Sequence, residues 1–257
     1  MHDILAKLQA RRPLVHCLTN PVAAALTANA LLCVGASPLM AEAEAEMRDV
    51  AGFAAALLVN LGMQTPARTQ SAIAAVACAR QRDLPWVLDP VAAGSIPERL
   101  ELARGFAAAG PRVIKGNASE IIALAGGGTG GLGTDATDTL ARAQDPARRM
   151  AAATGAVVAV TGATDWLTDG SSEAAIEGGH PLMAQVSGLG CVAGAMIAAF
   201  LAVEPNALHA ATGALRLLAR AGERAASNAH GPGTFVAALL DALANEAAAT
   251  GRGPARE

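Results

Sequence analysis

Short apolar runs alternate with longer alanine-rich stretches along most of this chain, and that alternation restricts the fold more than any other feature. The runs 14–17, 56–60, 86–89, 113–115 and 156–161 are each apolar and closed by a polar or turn residue, the pattern of buried strands. Helix-length segments lie between them at 22–34, 67–82, 98–109 and 138–154. Strands buried on both faces and separated by helices build a mostly parallel sheet with helices on either side, a three-layer α/β/α arrangement. The rhythm breaks over 164–184, where the runs 166–168, 174–176 and 182–184 are separated by Asp-Gly-Ser and Gly-Gly-His turns. These runs are expected as a short antiparallel edge. From Cys191 onward the chain reads as helical, over 191–202, 206–227 and 233–248. Residues 126–133 hold six glycines in eight positions, too many for helix or strand. The polar tail 250–257 is expected to fray. Because the alternation resumes after the glycines, residues 1–257 are expected to form a single domain.

Composition narrows the function. Apolar residues make up 53 % of the chain and charged residues 16 %, which allows a large core and excludes a disordered chain. A formal net charge of −3 without a basic block argues against a nucleic-acid partner, which needs concentrated positive charge. With 2 % aromatic residues and no Tyr, there is no stacking platform for single strands. The longest apolar run, 191–203, falls short of the roughly 20 residues that cross a bilayer, and the charged N-terminal stretch lacks a secretory pattern. No membrane and a cytoplasmic location are expected. Cys17, Cys33, Cys78 and Cys191 form no C-x-x-C pair and read as free thiols of a reducing compartment.

In parallel α/β sheets ligands bind beyond the carboxyl ends of the strands, so the polar residues ending the runs are the candidates: Asn20, Asn60, Asp89, Lys115 to Glu120, Thr161 and the turn before Cys191. Ser187-Gly188-Leu189-Gly190-Cys191 precedes a strongly apolar helix. Its glycines allow close backbone approach, and the free amides at the helix start suit a phosphoryl group. A simple tight turn into a core helix explains the same residues. At that place the Cys191 thiol is expected to have its pKa lowered from about 8.5. Asp89, in Asp89-Pro90-Val91-Ala92, ends a strand and suits Mg2+ held through water, or a turn. Within Lys115-Gly116-Asn117-Ala118-Ser119-Glu120, Asn117 and Glu120 have capping-box spacing. A cap leaves Lys115 unexplained, and that residue would set a cation at the sheet mouth. Glu120 can share Mg2+ with Asp89. Thr161 ends a further strand, where its hydroxyl can meet a nucleotide phosphate. Near the front, Asn20 and Met40 suit a small neutral ligand, or capping and core packing. His16 reads as a satisfied strand histidine, and His180 and His209 as turn and helix-surface residues.

Together and in this order, Val15-His-Cys-Leu-Thr-Asn20, Thr27-Ala-Asn29, Gly35-Ala-Ser-Pro-Leu-Met-Ala41, Leu88-Asp-Pro-Val91, Lys115-Gly-Asn-Ala-Ser-Glu120, Thr161-Gly162, Thr168-Asp-Gly170, Gly179-His-Pro181, Gly188-Leu-Gly-Cys191 and Gly231-Pro-Gly233 resemble the hydroxyethylthiazole kinase family. The resemblance implies a ribokinase-like fold and ATP- and Mg2+-dependent phosphorylation of 4-methyl-5-(2-hydroxyethyl)thiazole in thiamine salvage. It also implies a homotrimer with sites between subunits. Under it, Asn20, Met40 and Gly188 would contact the thiazole, and Lys115, Asn117 and Thr161 would serve ATP. Asp89 and Glu120 would organise Mg2+. Cys191, with Gly188 and Gly190, would stand at the reacting centre, where most ribokinase-like kinases carry aspartate. Lys115 departs from the family's usual Arg, Leu189 from a small or polar residue, and Ala92 from Gly. Three other readings remain: a related pyrimidine kinase or nucleotide-repair dehydratase, against which Cys191 speaks; a non-catalytic sensor; and a Cys-nucleophile transferase without an obvious partner base.

Overall fold

The computed structural model describes residues 1–126 and 139–251. Most of the glycine-rich stretch, position 138 and the tail from 252 lie outside the described residues.

One eight-stranded sheet runs in the order β2-β1-β3-β4-β5-β6-β7-β8. Its strands are β1 (Leu14–Leu18), β2 (Ser37–Leu39), β3 (Ala56–Asn60), β4 (Trp86–Asp89), β5 (Val113–Asn117), β6 (Val157–Thr161), β7 (Asp165–Thr168) and β8 (Glu173–Ile176). Neighbours from β2 to β6 are parallel, and β7 and β8 add the expected antiparallel edge. The helices are α1 (His2–Arg11), α2 (Ala24–Cys33), α3 (Met47–Phe53), α4 (Pro66–Gln81), α5 (Pro97–Ala108), α6 (Ala118–Leu124), α7 (Leu140–Thr154), α8 (Leu189–Leu201), α9 (Ala207–Asn228) and α10 (Pro232–Gly251). None of the described helices is long and apolar enough to cross a membrane.

Strand side chains alternate between faces, and here each face has its own core. Val15, Leu58, Val87 and Val113 face a cluster that includes Leu31, Phe200, Leu217 and Phe235 of α2, α8, α9 and α10. Leu57, Val59, Leu88 and Ile114 face Val76, Phe106, Ile121 and Met150 of α4 to α7. Trp86 lies in the second core with its ring edge-on to Phe106, centroids 6.4 Å apart. Carrying the alternation forward from Leu58, Val87 and Val113, the strand-end residues Asn60, Asp89 and Lys115 fall on the α8 face. Thr161 follows Val157 and Ala159 to the same side.

The segment 182–184 is a correction: it is not a strand but part of a 3-10 helix, Pro181–Gln185. Pro181 has no N–H for a sheet ladder, and His180 Nδ1 accepts from Leu182 N–H at 3.2 Å, capping the turn instead. Three elements lay outside the sequence reading. α1 buries only Ile4, Leu5 and Leu8. β2 is three residues long and carries Pro38, which an edge strand tolerates. α3 spans seven residues.

Candidate active site

β1 has β2 on one side and β3 on the other, so the strand order reverses there and opens a crevice at the carboxyl ends. Asn20 follows β1 and Asn60 ends β3, and the two amides meet across the crevice, Asn20 Nδ2 donating to Asn60 Oδ1 at 3.1 Å. Ala23 N–H in turn donates to Asn20 Oδ1 at 3.1 Å, fixing the turn into α2.

α8 delivers Cys191 to this point. Gly188 caps it at φ 89°, a left-handed conformation that favours glycine, and a Cβ there would sit 3.0 Å from Ala23 Cβ. The first helical bond is Val192 N–H to Gly188 O, so the amides of Leu189, Gly190 and Cys191 precede the ladder. The Cys191 sulfur accepts from Asn20 Nδ2 and from Asn60 Nδ2, each at 3.2 Å. Its pKa is pushed up, by burial first and then by the Asp89 charge. Lys115 and the two amides pull the other way. The expected lowering at a helix start is therefore corrected: desolvation and a neighbouring carboxylate outweigh the dipole.

Asp89 is fully buried. Lys115 Nζ donates to its Oδ1 at 3.2 Å and Asn60 Nδ2 to its Oδ2 at 2.7 Å. Burial alone pushes the carboxyl upward, against which the Lys115 cation and the Asn60 amide act. Two donors on one carboxylate favour the ionised pair. Lys115, expected as a cation at the sheet mouth, is buried at 4 % exposure and paired with Asp89. Burial works against its charge, and Asp89 and Glu120 outweigh that to hold its pKa above the usual value. A Cβ on Gly190 would lie 3.4 Å from Lys115 Nζ, so the cation lies directly against the first turn of α8, where an anion is favoured.

The capping box at α6 is complete: Glu120 N–H donates to Asn117 Oδ1 at 2.9 Å, and Asn117 N–H to Glu120 Oε2 at 2.8 Å. Glu120 Oε1 accepts from Ala92 N–H at 2.9 Å, which ties β4's following turn to α6. Burial raises the Glu120 pKa, opposed by Lys115 and these amides. Thr161 pairs with Asn117 in the β5–β6 register and its hydroxyl donates to Gly116 O at 3.3 Å. Met40 stands apart from this bonded cluster, half-buried just beyond β2. Its neighbour Ala41 is held through its carbonyl by His16 Nε2 at 2.9 Å, so His16 is the satisfied strand histidine expected. His180 lies in its turn and His209 on the exposed side of α9.

The sequence reading named Asn60 only as a strand end, yet it touches more of the cluster than any other residue. Its distinguishing signal was placement, since it ends β3 on the same face as Asp89.

Comparison with known proteins follows the same lines. A solved ribokinase-like superfamily protein from Enterococcus faecalis superimposes with a TM-score of 0.67 at 16 % identity, covering 95 % of this chain and 94 % of that one. The solved hydroxyethylthiazole kinase protein from Pyrococcus horikoshii gives a TM-score of 0.87 at 37 % identity, over 95 % and 92 % of the two chains. A hydroxyethylthiazole kinase from Granulibacter bethesdensis is 49 % identical over 93 % of this chain and 88 % of its own. The profile of the hydroxyethylthiazole kinase family matches residues 5–247. The fold is ribokinase-like, and relatives at 37 % and 49 % identity over most of the chain define the class: this protein is a kinase. Within that class, the chain belongs to the hydroxyethylthiazole kinase family.

Proposed function

We propose that the protein transfers the γ-phosphoryl group of ATP to the hydroxyl of 4-methyl-5-(2-hydroxyethyl)thiazole, a step in supplying thiamine. The observation that carries this reading is the Cys191 sulfur, held between Asn20 and Asn60 at the first turn of α8 with Lys115 beneath it. Pyrimidine kinases of this fold usually present aspartate there, which disfavours them.

In the reaction the substrate oxygen bonds to the γ-phosphorus while the bond to the β–γ bridging oxygen breaks, and the hydroxyl proton leaves late. Such a transition state is loose, so positioning and charge stabilisation supply most of the acceleration. The amides from Gly188 to Cys191, backed by Lys115, receive the charge on the moving phosphoryl oxygens, each well-placed donor contributing roughly 3–4 kcal/mol. Asn20, Met40 and Gly188 border the thiazole, and Lys115, Asn117 and Thr161 border the nucleotide.

Mg2+ fits Asp89 and Glu120 through retained water, not as a closed cage. Both oxygens of each carboxylate already accept a donor, leaving a second lone pair on each for bound water. Among the described residues no three His, Cys, Asp or Glu side chains are grouped to hold a metal ion. When bound, the ion neutralises charge on the triphosphate oxygens.

A homotrimer with shared sites belongs to the same reading. It is supported by Val22 and Met63, 62 % and 50 % exposed, which follow β1 and β3 closely at the crevice rim. Sedimentation velocity gives three times the chain mass if this holds. Thiazole-, pyrimidine- and sugar-alcohol-dependent ADP release with Mg2+ and ATP tests the activity. The thiazole alcohol gives the highest kcat/KM, and a preferred pyrimidine alcohol overturns the reading.

A further inference from the structure

Every hydrogen-bonding position of the Asn60 side chain is filled. Its amide nitrogen donates to Asp89 Oδ2 at 2.7 Å and to Cys191 Sγ at 3.2 Å. Its Oδ1 accepts from Asn20 Nδ2 at 3.1 Å and from Gly62 N–H at 3.0 Å. A primary amide has two hydrogens and one oxygen with two lone pairs, so nothing is left over. The partners also fix which end is nitrogen, because the Asp89 carboxylate only accepts and the Gly62 amide only donates. Gly62 cannot be larger: a Cβ there would lie 2.9 Å from both Asn20 Nδ2 and Asn60 Oδ1. The backbone has been brought against this amide pair.

On the sulfur, two N–H groups approach from Asn20 and Asn60, so its S–H is turned away from both. The charged groups facing the sulfur are Asp89 on β4 and Lys115 on β5. A sulfur and a carboxylate, both electron-rich, share one amide nitrogen that donates to each.

We propose that Asn60 is a positioning residue for phosphoryl transfer, holding the Cys191 sulfur and the Asp89 carboxylate in fixed relation to one another. At 3 % exposure it acts through those two groups and not on the substrate. The inference rests on the kinase reading and deepens it.

Asn60→Asp keeps the shape and replaces the donor facing Cys191 and Asp89 by an acceptor. Expected is a fall in kcat of about 100-fold, the scale of a misplaced reacting group, with both KM values within about three-fold. Asn60→Ser, which removes the bridge without adding charge, shows the same split and serves if circular dichroism finds Asn60→Asp unfolded. Independently of turnover, iodoacetamide labelling of the folded protein, read by peptide mass spectrometry, follows the sulfur itself. Cys191 alkylation slows by about five-fold or more in Asn60→Asp as its stabilising donor is lost, while Cys33 on α2 reacts as in the wild type. A kcat within two-fold of wild type, KM values rising in step with the loss, or an unchanged Cys191 alkylation rate overturns the proposal. Should the wild type release no ADP with the thiazole alcohol, the kinase reading falls, and the alkylation arm alone judges Asn60.

Discussion

Cys191 has the surroundings of a neutral thiol, with burial and the Asp89 charge raising its pKa. Under the proposed reaction a protonated thiol of that kind would orient the substrate hydroxyl without taking its proton, a role that contributes little to ground-state binding. Cys191→Ala is therefore expected to lower kcat by about 10- to 100-fold with a smaller change in KM. Steady-state kinetics check this, and an unchanged kcat removes the thiol from the mechanism. Asp165 makes a second residue-scale case. Burial pushes its carboxyl up from 3.8 to about 6, against the Gly162 N–H it accepts from. The folded state thus holds the proton more tightly than the unfolded one. Its contribution to stability is full below pH 3.8 and is lost as pH rises through about 6. Asn keeps the acceptor for Gly162 and cannot ionise. Asp165→Asn should stabilise the fold by about 1–2 kcal/mol at pH 7.5, after discounting for the side chain's remaining exposure, and by little near pH 4. Urea melts at the two pH values measure the difference.

At the level of elements, the turn after β4 is held in a conformation that its sequence resists. Ala92 has φ 61°, where a Cβ is disfavoured by roughly 1–2 kcal/mol, yet this geometry aims its N–H at Glu120 Oε1. Ala92→Gly relieves the strain but adds freedom to the unfolded chain, leaving a net gain of about 0.5–1 kcal/mol. A rise in thermal midpoint with Glu120 still bonded would show it. The elements that sequence revealed best are those whose identity is local. The strand runs, the Asn117–Glu120 box and the helices after Cys191 each carry their own periodicity or cap. The short α3 and the three-residue β2 carry too few residues for a pattern, and 182–184 imitates a strand until Pro181 and His180 are considered. Within the site, Asp89, Lys115 and Glu120 were legible as strand-end or cap residues. The burial of Lys115 on Asp89 and the raised Cys191 pKa were not, because the first joins neighbouring strands across 26 residues of chain and the second needs α8 packed over the sheet. Asn60 was legible as a strand end, but its bonding was not, for the same reason: its four partners come from β1's loop, its own turn, β4 and α8.

For the molecule as a whole, the sheet divides two cores, and the bonded cluster of Asn20, Asn60, Asp89 and Cys191 sits where the α8-side core reaches the crevice. That core closes tightly: a Cβ on Gly213 of α9 would lie 3.2 Å from the ring of Phe200 on α8, which is itself fully buried. Phe200→Ala leaves a hole that neither helix can close and should destabilise the protein by about 3–5 kcal/mol in urea unfolding. The other core holds Trp86, three positions before Asp89 on the same strand, its indole N–H without an acceptor among the described residues. Trp166, at the antiparallel edge, lies under the Arg148 guanidinium at 5.2 Å. In a chain with no tyrosine and two tryptophans, ultraviolet emission comes from these rings alone. The sheltered indole on β4 emits to the blue, so without any added label it reports the integrity of the core beneath α4 to α7.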